Sequence, residues 1–253
     1  MPQQSYHIAS VQGIGTRARQ EDSFAYVNDH NVKVSKEKGL LFVVCDGMGG
    51  MRDGKVASET AITYIVKNFE NMNVSKNIAA QLKQSVYESS AEVEKLLEGQ
   101  GGSTAVTCMI YDDGLYYASV GDSFLFLKRG EDLFQLNTEH NLRNQMYDEA
   151  IMDGELDPEP ARVHPDTAAL TQFLGYAGLS EIDGSVRPMK LHEGDVLLAC
   201  SDGVGGVLSE EEIKAVLSYP QPEMMCAAIE RSVLAHKKKN QDNYTAIVVK
   251  CVV

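Results

Sequence analysis

Leu40-Leu41-Phe42-Val43-Val44-Cys45 runs without interruption into Asp46-Gly47-Met48-Gly49-Gly50. Six consecutive apolar residues bounded by a glycine-rich turn read as a buried strand. The pattern returns downstream, where Val196-Leu197-Leu198-Ala199-Cys200-Ser201 runs into Asp202-Gly203-Val204-Gly205-Gly206. A carboxylate at the tip of a strand is held in place by the core behind it. Two such tips brought together form an all-oxygen site suited to Mg²⁺ or Mn²⁺. The glycines of the first tip are expected to leave room for what its carboxylate binds. Those after Asp202 are expected only to turn the chain towards its next helix.

On the N-terminal side of the first tip, strand-like segments lie around Tyr6–Val11 and Ser23–Val27. On its C-terminal side helical periodicity takes over. Val56, Ala57, Thr60, Ala61, Tyr64 and Ile65 share one predicted face, and Ile78, Leu82, Val86, Ser90, Val93 and Leu97 share another. Four short strands joined by tight turns follow at Thr104–Tyr111, Leu115–Val120, Phe124–Lys128 and Leu133–Leu136, and they predict an antiparallel meander. The stretch from 140 to 168 carries Pro158, Pro160 and Pro165 with no sustained period, so a helix and an exposed flap are expected there. Strands return at Gly184–Leu191 and Val196–Ser201. Ser209-x-x-Glu212 is a capping box, Pro222 suits a helical first turn, and Thr245–Val252 closes the chain as a strand. Strands in blocks and helices in pairs predict an α+β fold. Its layers are α-β-β-α: a central antiparallel β-sandwich of two sheets flanked by pairs of helices.

Length and charge narrow the function. A chain of 253 residues, 43% hydrophobic, is long enough for one large core, and residues 1–253 are expected to form a single catalytic domain. There are 23 Lys+Arg and 36 Asp+Glu, a net charge of −13. Such a chain repels nucleic acid and anionic membrane surfaces, so neither is an expected partner. No apolar run approaches the roughly 20 residues needed to span a bilayer, and no secretory leader is evident at Met1–Ser5. The five cysteines are odd in number and lack CxxC spacing, which predicts buried thiols in a reducing compartment. A cytoplasmic monomer is the expectation.

Acidic residues recur at other element ends: Glu21-Asp22 before Ser23–Val27, Asp122 in the Gly121-Asp122-Ser123 turn, and Asp242-Asn243 before the last strand. Arg17 and Arg19 precede the first pair, and spacing favours Arg17 for a site role. In order, the set resembles the metal-dependent protein phosphatases, the type 2C serine/threonine phosphatases, and their bacterial branch most closely. The resemblance rests on Arg17-x-x-x-Glu21-Asp22, Asp46-Gly47-Met48-Gly49-Gly50, Gly102-Ser103-Thr104-Ala105, Gly121-Asp122-Ser123, Leu170-Thr171-Gln172-Phe173-Leu174-Gly175, Ser201-Asp202-Gly203 and Asp242-Asn243-Tyr244-Thr245. Each piece alone is weak. The ordered set spans nearly the whole chain.

The resemblance implies hydrolysis of phosphoserine and phosphothreonine in proteins that are targets of a serine/threonine kinase. It implies two Mn²⁺ or Mg²⁺ ions, with a looser third, and no organic cofactor. Asp46 would bridge the two ions and Gly47 would add its carbonyl oxygen. Asp202 and Asp242 would hold the first ion, and Glu21 and Asp22 the second, partly through water. Asp122 would serve the third with Asp202, and Arg17 would grip the phosphate. A water between the two metals would attack phosphorus directly. The chain departs from the family pattern at Met51, Phe124 and Gln172, where basic residues are usual. Those losses motivate a competing reading, a catalytically weak phosphoprotein-binding regulatory module. A metallophosphatase of small phosphate esters is a third.

Overall fold

Each of the two apolar runs is buried on both of its faces, which explains why neither alternates with polar residues. The structure, a computed structural model, describes residues 5–28, 37–48, 53–155, 157 and 159–252. Gly49, Gly50, Met51, Leu156 and Pro158 lie outside the described residues. The strands are β1 (Ser5–Gly13), β2 (Ser23–Val27), β3 (Leu40–Cys45), β4 (Ala105–Tyr111), β5 (Gly114–Val120), β6 (Phe124–Arg129), β7 (Asp132–Gln135), β8 (Asp183–Gly184), β9 (Met189–Lys190), β10 (Val196–Cys200) and β11 (Tyr244–Val252). The helices are α1 (Gly54–Asn71), α2 (Ile78–Leu97), α3 (Leu142–Met152), α4 (Glu159–Val163), α5 (Asp202–Gly205), α6 (Glu210–Val216) and α7 (Pro222–Ala235).

One sheet has the order β1-β11-β10-β6-β7. The other has β2-β3-β4-β5-β8, with β9 also paired to β5. All of these pairings are antiparallel. In β3, Leu41, Val43 and Cys45 pack under α1 and α2, while Leu40, Phe42 and Val44 face the opposite sheet. In β10, Val196, Leu198 and Cys200 pack under α6 and α7, while Leu197 and Ala199 point into the space between the sheets. Three apolar layers therefore separate four layers of structure, the α-β-β-α sandwich read from the sequence.

The capping box holds: Ser209 Oγ accepts from the Glu212 N–H, and Glu212 Oε2 accepts from the Ser209 N–H at 2.8 Å. All five cysteines are buried free thiols. The meander does not hold. β4 and β5 lie in one sheet, β6 and β7 in the other, and the chain changes sheet at Gly121-Asp122-Ser123. Gly121 makes that crossing with φ +94°, which a side chain would strain. The strand expected at Gly184–Leu191 forms only as the two short pieces β8 and β9. The buried face of α1 is Ala57, Ser58, Ala61, Ile65 and Phe69, and Val56 is exposed. The flap region contains α3, with no buried residue, and the short α4.

Candidate active site

The sheet crossing places Asp122 at the same end of the sandwich as both Asp-Gly tips. Asp46 follows β3 in one sheet and Asp202 follows β10 in the other. Glu21-Asp22 enters β2 and Asp242 precedes β11, so every acidic position comes from the end of a strand. A cavity of about 210 Å³ opens here, and Arg17, Glu21, Asp46, Gly47, Asp122, Asp202 and Asp242 line it. Met48, Thr104, Ala168 and Leu170 complete its wall. Of the eight residues singled out in the sequence, only Asp22 stands behind the lining, fully buried.

Local hydrogen bonds fix the Asp46 main chain and the Asp22 carboxylate. The Asp46 N–H donates to Thr104 Oγ1 at 3.1 Å, and its carbonyl accepts from the Thr104 N–H at 2.8 Å and Ser103 Oγ at 3.0 Å. Asp22 Oδ2 accepts from Ser201 Oγ at 2.9 Å and Thr245 Oγ1 at 2.6 Å. Asn243 joins the two ends of the chain. Its Oδ1 accepts from the Glu21 N–H at 2.8 Å, and its Nδ2 donates to the carbonyls of Ile14 and Arg19. Arg17 forms an ion pair with Asp242 at the cavity rim. The Arg19 side chain is exposed and takes no part in the lining.

Ser201, Thr245, Asn243 and Thr104 are the positioning residues that the sequence reading left without a role. All four sit inside the motifs themselves, and Ser201 and Asn243 each adjoin an aspartate in the chain, which is the one signal that marks them.

Both tip glycines serve close packing. A Cβ on Gly47 would lie 2.1 Å from the Gly54 carbonyl oxygen, and one on Gly203 would lie 1.8 Å from the Asn243 carbonyl oxygen. The glycines after Asp202 therefore do more than turn the chain. Gly203 lets Asn243 approach, and Gly205 faces the Phe124 ring.

The carboxylates oppose one another electrostatically. Burial, and then repulsion from Asp22, Asp202, Asp122 and Asp242, pushes the Asp46 carboxyl well above the usual carboxylate range. Burial is also the largest cause for Asp22, raised to about 6, and for Asp122, raised to about 7. Asp202 is raised by burial and Asp242, but a side-chain hydrogen bond with Asp46, then Arg17 and the Gly203 N–H, oppose the shift. Asp46 and Asp202 are open only towards the cavity.

The donor set fits divalent cations. Asp22 Oδ1 and Asp202 Oδ1 are buried oxygens with no hydrogen-bond partner. Such oxygens are costly unless something positive meets them. Among the described residues, no three acidic, histidine or cysteine side chains form a closed cation cage. Shared ligands and several coordinated waters suit hard cations held in such an open arrangement.

Residues 6–146 match the family described as Protein phosphatase 2C. The chain belongs to the protein phosphatase 2C family. Protein phosphatase PhpP of Streptococcus pneumoniae is 30% identical over 204 residues, 78% of this chain and 79% of its own. Among solved structures, the S. agalactiae serine/threonine phosphatase superposes with a TM-score of 0.80 at 27% identity, covering 98% of this chain and 100% of that one. The catalytic domain of the serine/threonine protein phosphatase PstP, solved in complex with two manganese ions, shares the fold. Its TM-score is 0.76 at 22% identity, over 99% of this chain and 100% of that one. Membership places the chain among metal-dependent serine/threonine protein phosphatases, with the two-sheet sandwich that the strands predicted.

Two departures from the family pattern now have a place. Phe124 is a core residue stacked on Phe126, with ring centroids 5.6 Å apart. Gln172 Oε1 accepts from the Ser180 N–H at 3.0 Å, outside the cavity lining. Met51 lies outside the described residues.

Proposed function

We propose that this phosphatase hydrolyses phosphoserine and phosphothreonine in proteins that are targets of a serine/threonine kinase, acting as a cytoplasmic monomer. One observation carries the reading. Five strand-end carboxylates line one cavity with a sixth, Asp22, behind them, two buried oxygens among these lack partners, and a guanidinium stands at the rim. Asp46, with the Gly47 carbonyl, Asp202 and Asp242 would hold one Mn²⁺ or Mg²⁺. Asp46, Glu21 and Asp22 would hold a second, and Asp122 with Asp202 a third. Bound divalent cations supply an activated water and a sink for charge on the phosphoryl oxygens.

The chain's own groups define the rest. Arg17 offers a planar fork that matches two phosphate oxygens. Asp242 holds that fork at the rim. Among the described residues the lining has no serine, cysteine or histidine, and Thr104 Oγ1 is already engaged with Ser123 and the Asp46 N–H. No free hydroxyl, thiol or imidazole is placed to form a phospho-enzyme, and the carboxylates are assigned to the cations, which supports direct displacement by water. Phe124 and Gln172 lie off the cavity, so their departures give the binding-module reading no support from the site.

The test is turnover of a phosphothreonine peptide with Mn²⁺, with Mg²⁺ and with chelator. Hydrolysis is expected only with metal and is expected to collapse in Asp46→Asn. Metal-independent turnover would overturn the reading. Phosphopeptide binding without phosphate release would favour the regulatory module instead.

A further inference from the structure

A second concavity, about 960 Å³, lies on the far side of the flap base. It runs between α2 and α3 and is walled also by residues 138–141, 171–172 and 180–183. Glu139, Asp148, Glu149, Asp153, Glu181 and Asp183 line it. Among the described residues, Lys83 is the only lysine or arginine in that lining and none of the six carboxylates is in an ion pair. Such a field repels anions and attracts cationic chains.

A mostly buried side chain adds an independent feature. His140 is 9% exposed and lines this groove. Its Nδ1 accepts from the Gly121 N–H at 3.3 Å. Burial holds the ring below its ordinary pKa, so it is neutral and carries its proton on Nε2. That N–H has no protein partner among the described residues and is not closed off from the groove, so it is free to donate to an acceptor such as a peptide carbonyl, which a bare cation lacks.

The groove and the catalytic cavity share a wall. Ala168 and Leu170 line the cavity, while the next residues, Thr171 and Gln172, line the groove. The His140 backbone also reaches across this boundary: its main-chain N–H donates to the Gly121 carbonyl at 2.8 Å, beside Asp122. We infer that this groove seats a lysine- and arginine-rich stretch of the phosphoprotein substrate, a few residues from the phosphorylated side chain. Basic side chains meet the carboxylates, and the main chain supplies a carbonyl to His140. The inference rests on the phosphatase reading and names its substrate class. An extended chain advances about 3.3 Å per residue, so a short flank spans one wall.

Two phosphothreonine peptides of equal length test this, one with Lys/Arg flanks and one with Ala flanks. The wild-type protein with Mn²⁺ is expected to favour the basic peptide about tenfold in kcat/KM, through KM, as several exposed ion pairs sum to that factor. The gap is expected to close in Asp148→Lys/Glu149→Lys/Asp153→Lys, three exposed positions remote from the metal ligands. It is expected to close also at about 1 M salt, where the Debye length is about 3 Å. The milder Asp148→Asn/Glu149→Gln/Asp153→Asn set is expected to narrow the gap and guards against misfolding of the first. Turnover of a small aryl phosphate is expected to be unchanged in both sets. Equal kcat/KM for the two peptides, or a gap that survives both sets, would overturn the inference. Absence of aryl phosphate turnover in the wild-type protein would instead refute the phosphatase reading.

Discussion

The two Asp-Gly tips are nearly alike in sequence and unlike in surroundings. Asp202 opens α5, where the Gly203 N–H and Arg17 both favour its charge. Asp46 meets four other aspartates, and each of them raises its pKa. A strand end with some compensation can remain charged by itself, whereas one that meets only like charge depends on a cation to ionise. The second tip is partly provided for by the protein. The first has no such provision, in keeping with its proposed place between two ions.

The largest expected effect comes from removing that metal. Asp22 and Asp122 are raised from 3.8 to about 6 and about 7. For a carboxylate whose folded pKa is raised, the associated stability is complete below the unfolded pKa and is lost as pH rises through the folded value. The chelated protein should therefore lose stability between about pH 4 and pH 7, on the order of a few kcal/mol. Melting curves in chelator should fall by several degrees across that range. With Mn²⁺ the ionised carboxylates bind cation, so the fall should disappear. Asp46→Asn should flatten the chelated profile more than Asp202→Asn, while either lowers turnover by at least about a hundredfold. A chelated profile that rises with pH, or equal flattening by the two variants, would break the contrast between the tips.

That contrast was only half legible in the sequence. Both strands, their aspartates and the capping box at Ser209 stand in the chain as local patterns, and each formed as read. The sheet change at Gly121 did not show, because two antiparallel strands joined by a tight turn have the same local pattern whether they pair or part. Yet that change is what brings Asp122 to the tips. Asn243 was equally silent: its role joins residues more than two hundred positions apart, and no local period encodes that. Phe124 looked like a missing basic contact until the fold put it in the core against Gly205.

In one respect the tips are alike, and here the expected effect is intermediate. Gly47→Ala and Gly203→Ala each drive a methyl group into a carbonyl oxygen, at 2.1 Å and 1.8 Å before relaxation. Each should cost about 1–3 kcal/mol, as overpacked interiors do. Denaturation midpoints would show it. If Gly203→Ala were neutral while Gly47→Ala was not, the glycines after Asp202 would after all serve only to turn the chain.

The smallest effect separates the two arginines near the second tip. Arg17 pairs with Asp242 and lowers the Asp202 pKa, whereas the Arg19 side chain points to solvent and only its carbonyl is held, by Asn243. Lysine keeps the charge at position 17 but loses the planar fork. Arg17→Lys should therefore raise KM for a phosphopeptide about tenfold, near the worth of one charge-assisted hydrogen bond, with kcat changed less. Arg19→Lys should leave both constants unchanged. If Arg19→Lys raised KM and Arg17→Lys did not, phosphate would be gripped from the other arginine. The partial relief of Asp202 by Arg17 would then be a consequence of their closeness, unconnected with substrate binding.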